Sequence, residues 1–178
     1  AALALFAEQG IAATTTREIA ERAGTAEGTL YRHFESKDAL VEWLFEACAR
    51  RFDAVLAEAV DGQAGPRDQL RGLVRGVFSF AEAHPASFDY LLSVHHTGLL
   101  EAVDGPPPPM QRFMTVLGDG MEAGVFRDLP PPLATGWIVA MAQRAVVFQG
   151  SPLVDRTPDA VIDQTVAAAL RLVAPEEE

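Results

Sequence analysis

The chain has 178 residues, 49% of them apolar, a single cysteine, and 25 acidic against 14 basic side chains for a formal charge of −11. That length suits one ordinary domain, or a small one and a larger one sharing a helix, with enough apolar surface for a core. Cys48 alone excludes an intramolecular disulfide framework, no run reaches the roughly 18–20 uninterrupted apolar residues of a membrane span, and the acidic balance argues against coating nucleic acid by bulk charge. With no charged segment leading into an apolar one at the start, the sequence predicts a cytoplasmic protein without a membrane partner. Ala1 begins in mid-helix in place of Met, so native residues are expected ahead of it.

Few runs suit a strand, and Gly and Pro cluster between stretches of 3.6-residue periodicity, so the fold class is all-α with about nine helices. The first helix carries Leu3, Leu5 and Phe6 and stops at Gly10. Thr15 with Glu18 has the form of a capping box and opens a second helix reaching about Ala23. After Gly24, Thr25 is expected to cap a third helix from Ala26 to about His33. Ser36 caps a long fourth helix to about Val60. Pro66 and Pro85 stand at N1 positions of the fifth and sixth. The four prolines from Pro106 to Pro109 predict an extended linker before a seventh helix with Met110, Phe113 and Leu117. The eighth is expected from about Leu133 to Gln149, and Thr157-Pro158-Asp159 opens the ninth, whose apolar stripe is Ile162, Val166, Ala169, Leu170 and Val173.

Two short helices joined through a glycine, after a supporting helix, make a helix-turn-helix candidate. Ala20 admits the second helix, Gly24 supplies positive φ in the turn, and Ile19, Ala23, Leu30 and Phe34 are expected to form the small core. The outer face of the third helix then carries Thr25, Ala26, Glu27, Thr29, Arg32 and His33, short or hydrogen-bonding groups suited to base edges. Tyr31 and Lys37 fall where phosphates would pass. Lys37 is the only lysine, and it stands at a helix N-terminus where a cation opposes the dipole. Residues 1–60 hold six basic and ten acidic side chains, so any binding to double-stranded operator DNA must come from a local face.

Thr-Thr-Arg-Glu-Ile-Ala-Glu-Arg-Ala-Gly at residues 15–24, followed by Gly-Thr-Leu-Tyr-Arg-His-Phe-Glu-Ser-Lys-Asp-Ala-Leu at residues 28–40, resembles the DNA-binding signature of the TetR family. The resemblance implies a helix-turn-helix domain over residues 1–46 and a helical effector-binding and dimerisation domain over residues 47–178. It implies a repressor released from its operator by a small hydrophobic effector. It also implies that Thr16 and Tyr31 hold phosphates, that Lys37 holds the backbone, and that Arg17, Thr29 and His33 lie at or near base edges. Thr15 belongs to the same interface beside its capping role, while Ala26, Glu27 and Gly28 vary most within the family and leave the operator sequence open.

The second region has no comparable motif. Aromatic and Met side chains on the fifth to eighth helices suggest an apolar ligand-binding pocket bounded by Phe78, Phe88, His95, Phe113, Leu117, Trp137 and Met141. Arg144 shares a stripe with Trp137, Met141 and Phe148; buried there it needs an acidic partner, from the protein or from a ligand. Plain core packing is the alternative for each apolar residue, and a regulator with no small ligand also stays open. His95 and His96 diverge by about 100° on a helix, so no metal site and no cofactor are expected. No nucleophile with a base, no phosphate loop and no metal-spaced carboxylate pair indicates an enzyme. The apolar stripe of the ninth helix exceeds what the chain is expected to cover alone, so a homodimer through the eighth and ninth helices is predicted. Two recognition helices about 34–36 Å apart read successive turns of DNA, and a ligand favouring a different spacing lowers affinity by its differential binding.

Overall fold

The computed structural model describes residues 1–94 and 105–175, and all regular structure among them is helical. In chain order the helices are α1 Ala2–Gln9, α2 Thr16–Arg22, α3 Glu27–Tyr31, α4 Lys37–Val60, α5 Pro66–Ala83, α6 Pro85–Val94, α7 Pro108–Glu122, α8 Pro131–Phe148 and α9 Pro158–Leu172. The boundaries follow local chemistry. Thr15 and Glu18 form a complete capping box on α2. The Ala39 amide donates to Ser36 Oγ at 3.0 Å at the head of α4, and the Ala160 amide donates to Thr157 Oγ1 at 3.3 Å at the head of α9. Pro66, Pro85 and Pro158 each open a helix, where a missing N–H costs nothing. The proline run departs from the expected linker: Pro108 and Pro109 lie in the first turn of α7, the one place in a helix that tolerates them. The third helix is shorter than its pattern suggested, and Thr25 does not cap it. Ala26 is the N-cap and contributes no side-chain bond.

The chain forms two compact units, Ala1–Arg50 with His84–Gly105, and Arg51–Ala83 with Pro106–Glu178. In the first, α1 packs on α6 and α2 on α3. Leu5, Phe6, Ile19, Ala20, Val41, Phe45 and Cys48 are buried there. Tyr90 closes this core: its ring stacks on Phe6 with centroids 5.7 Å apart, and its hydroxyl donates to the Val41 carbonyl at 2.6 Å. Burial pushes the phenol far above its ordinary range, and the neighbouring Cys48 adds to this. Leu30 and Phe34 are only half-buried, and Ala23, the C-cap of α2, is exposed rather than a core residue.

In the second unit α5 is central, with α7, α8 and α9 packed against it. Leu70, Leu73, Val74, Val77 and Phe80 are inaccessible to solvent, and each aliphatic side chain so buried is worth about 1.5–3 kcal/mol. Gly72 lies against α4 so closely that a Cβ would run into the Ala59 carbonyl. The stripe of α9 is largely covered within the chain: Val161, Val166, Ala169 and Val173 are buried, with Ile162 and Leu170 half-buried. Val166 is therefore a core residue of this unit. Arg127 ties down the end of α9, its amide donating to the Val173 carbonyl at 2.9 Å and its Nε to the Leu172 carbonyl at 2.8 Å.

Candidate nucleic-acid interface

The turn between α2 and α3 is set by Gly24, whose φ of 68° lies where a Cβ is disfavoured. The Thr25 amide then donates to the Ala20 carbonyl at 3.0 Å, which brings the start of α3 back across the start of α2. Thr16 and Tyr31, fifteen residues apart, meet as a result: their hydroxyl oxygens are 3.2 Å apart. Thr16 also donates to Glu27 Oε1 at 2.7 Å, an interaction with no signature in sequence because its partners are eleven residues apart on different helices.

Around this cluster most of the expected contact residues are open to solvent. Arg17, Thr25, Ala26, Gly28, Tyr31, Arg32 and His33 are exposed, whereas Glu27, Thr29 and Lys37 are half-buried. Arg32 caps the C-terminus of α3 and His33 lies beyond it, its amide still donating to the Leu30 carbonyl at 3.0 Å. Arg17 Nε donates to Glu21 at 2.9 Å, and both side chains are more than 60% exposed. A pair this exposed is worth little and is easily exchanged for a phosphate or base. The Glu21 carboxylate holds the Arg17 guanidinium still more firmly in its charged form. Lys37, first residue of α4, donates from Nζ to the Ala12 carbonyl at 3.3 Å, an acceptor that offsets part of the dipole penalty. Thr15 is engaged in its cap, donating from Oγ1 to Glu18 Oε2 at 2.8 Å.

Arg22 and Glu8 form a two-pronged pair at 2.6 and 2.5 Å that fastens α2 to α1. It lowers the Glu8 carboxyl below the usual range. The sequence reading missed this pair, and only the opposite charges on two adjacent helices hinted at it.

The residues expected to bound one apolar pocket are distributed over both units. Phe78, Phe113 and Leu117 are buried in the second unit, Phe88 is buried in the first, and His95 lies outside the described residues. Met141 is half-buried. Trp137 is 44% exposed and Arg144 is exposed, so the expectation of a buried Arg144 with an obligatory acidic partner is corrected. Both belong to an outer face of α8 that also presents Leu133, Val147 and Phe148. The signal was available: α8 is apolar nearly all round, and a helix of that kind needs cover on every side.

Among the described residues, the second unit carries several grooves, three of them distinct in their lining. One of about 480 Å³ is lined by Phe78, Ala81, Val146 and Ile162 with Glu82 and Asp159 at its rim. An apolar one of about 300 Å³ runs between α8 and α9 past Met141, Phe148 and Val161. The third, about 390 Å³, is polar and contains Asp53, Gln69, Arg112 and Asp119. There Arg112 grips Asp53 with Nε and Nη2 at 2.7 and 2.8 Å, and the bond raises the guanidinium pKa further. No three His, Cys, Asp or Glu among the described residues converge as a metal site, and no described helix is long and apolar enough to cross a membrane.

A family model for bacterial regulatory proteins of the TetR family matches residues 1–44. The chain is 35% identical over 133 residues to the HTH-type transcriptional repressor KstR2 of Mycobacterium tuberculosis, an alignment spanning 71% of this chain and 66% of that protein. The solved structure of the ketosteroid transcriptional regulator KstR2 of Mycobacterium tuberculosis matches over 98% of this chain and 92% of that one, with 30% identity and a TM-score of 0.70. The transcriptional regulator FadR of Bacillus subtilis, solved in complex with stearoyl-CoA, shares the fold at 18% identity and a TM-score of 0.74, covering 95% of this chain and 94% of that one.

Proposed function

This chain belongs to the TetR family of bacterial regulatory proteins, DNA-binding transcriptional regulators, and from that premise we propose that it is a cytoplasmic repressor that reads operator DNA as a homodimer and is released by a small hydrophobic effector. Residues 1–46 form the reading head and residues 47–178 serve dimerisation and the effector. The observation that carries the reading is the meeting of the Thr16 and Tyr31 hydroxyls within 3.2 Å, which aims two hydrogen-bonding groups at one point, suited to a phosphate. Lys37 holds the backbone beside them, and Arg17, Thr29 and His33 reach base edges. Thr25, Ala26, Gly28 and Arg32 form the surface laid against the duplex. Catalysis has no part in this function, and no cofactor is needed.

The dimer face is the outer side of α8, where Leu133, Trp137, Val147 and Phe148 leave a patch too apolar for a free surface, continued by the α8–α9 groove. Replacing Trp137 and Phe148 with Glu is expected to give a helical monomer in sedimentation and to weaken operator binding, because two half-sites are no longer tied together. A double variant that sediments as a dimer overturns this interface.

An apolar effector is supported by the family and by FadR, whose fold holds stearoyl-CoA. Full burial of Phe113 and Leu117 favours a second reading in which the core admits no ligand. Thermal-shift measurement with a panel of acyl-CoA and steroid compounds separates the two. A bound compound at about 100 times its dissociation constant stabilises the folded protein by roughly 2.7 kcal/mol per site. A panel with no shift and no effect on operator binding favours the ligand-free regulator.

A further inference from the structure

Glu27 is the one acidic side chain among the residues assigned to the DNA face, and it stands in the first turn of α3. Its carboxylate accepts the Thr16 hydroxyl, the same hydroxyl that lies 3.2 Å from Tyr31. A phosphate arriving at Thr16 and Tyr31 therefore meets an anion already in place, and two anions sharing those donors repel one another. The carboxylate must leave Thr16 as the phosphate binds. A carboxylate only accepts hydrogen bonds, so wherever it settles it requires a donor.

In the major groove the choice is narrow. Guanine presents O6 and N7, and thymine O4, all acceptors that repel a carboxylate; adenine offers its amino group beside the N7 acceptor. Cytosine alone offers the N4 amino donor with no adjacent acceptor on its own edge. Resting on the reading of this face as a DNA interface, we propose that Glu27 determines specificity by exchange. In the free protein it holds the Thr16 hydroxyl, and on the operator it releases that hydroxyl to a phosphate and accepts a hydrogen bond from the amino group of one cytosine per half-site. One hydrogen bond is given up by the protein and two are formed to DNA. The Thr16 contact thus keeps an acidic residue poised on a face that must approach a polyanion.

The test is selection from random duplexes with the wild type, Glu27→Gln and Glu27→Asp, followed by titration against the selected and scrambled duplexes at several salt concentrations. The amide oxygen of Gln can still accept from Thr16, which keeps the α2–α3 contact, and helicity is checked for both variants. Wild type is expected to enrich cytosine at one position of each half-site by about tenfold. Gln should shift that position toward adenine, which it can engage at N6 and N7. Asp, with the same charge but a shorter reach, should lose most of the preference while keeping the wild-type salt slope. If the same base is preferred by all three proteins, and Gln binds operator and scrambled duplex more tightly by equal factors, Glu27 merely repels phosphates and the inference is overturned. Enrichment of no sequence by the wild type overturns the DNA-binding reading and this inference together.

Discussion

The two compact units hold their functional side chains in opposite ways. In the first, the groups assigned to the DNA face are exposed or half-buried, and short polar contacts position several of them: Thr16 with Glu27 and Tyr31, Arg17 with Glu21, Lys37 with the Ala12 carbonyl. In the second, Leu70, Leu73, Val77, Phe113, Leu117 and Ile138 are shut off from water, and α8 presents apolar side chains on its outer side. A site that reads DNA must face a rigid, highly charged object and gains from open, exchangeable hydrogen bonds. A core gains from exclusion of water. Substitutions at the exposed polar groups of the first unit should therefore change binding with the fold intact, and those in the buried core of the second should change the fold first.

The sharpest way to break that contrast is Phe113→Ala. If Phe113 is core, its removal costs about 3–5 kcal/mol in denaturant unfolding. A loss below about 1 kcal/mol, together with a changed response to an apolar compound, would make it a pocket wall and erase the distinction between core and site. Gly72→Ala comes next. Its methyl group would strike the Ala59 carbonyl, which is backbone and cannot swing aside, so an overpacking cost of about 1–3 kcal/mol is expected. A variant as stable as wild type would show that α5 can shift away from α4.

How far each unit could be read in sequence follows from the same contrast. The caps at Thr15, Ser36 and Thr157 and the prolines at Pro66, Pro85 and Pro158 lie within three residues of what they act on, and the starts of α2, α4, α5, α6 and α9 followed from them. The helix-turn-helix is legible because its cap at Thr15 and its turn glycine, Gly24, stand at a fixed spacing. The Thr16–Glu27 and Arg112–Asp53 contacts were not, since each joins residues far apart in the chain whose types suit any solvated surface. In sequence α8 is apolar nearly all round and α9 on one side, yet neither pattern says which side chains the chain itself covers. Only packing reveals that α9 turns Val166 and Ala169 inward while α8 leaves Trp137 outside.

Within the first unit, Lys37→Ala should weaken binding to operator and scrambled duplex alike, by about tenfold, and reduce the salt slope by about 1. Tyr31→Phe should act in the same sense with an unchanged slope. Arg17→Ala and His33→Ala should alter which base pairs are preferred. Loss of discrimination in Lys37→Ala with nonspecific affinity unchanged would remove Lys37 from the phosphate contacts.

The smallest effect concerns the capping box, which sharpens the contrast by asking how much stability the open polar contacts carry. The Thr15 amide and the Thr15 hydroxyl both donate to Glu18 Oε2 at 2.8 Å, and these bonds, the amide first, hold the Glu18 carboxyl below the usual range, with Gln9 adding to them. A depressed carboxyl pKa contributes stability that is present above the ordinary glutamate value and is lost as pH falls through the folded value. Thr15→Ala removes the hydroxyl, both as acceptor for the Glu18 amide and as donor to the carboxylate, and should cost about 1 kcal/mol near neutral pH. The amide bond to Glu18 survives, so the stability of the variant should still fall in acid, less steeply than that of wild type. Unfolding midpoints measured from neutral pH down to below the glutamate range decide the matter: a constant offset between the two curves would mean that the hydroxyl caps the helix without holding the carboxylate.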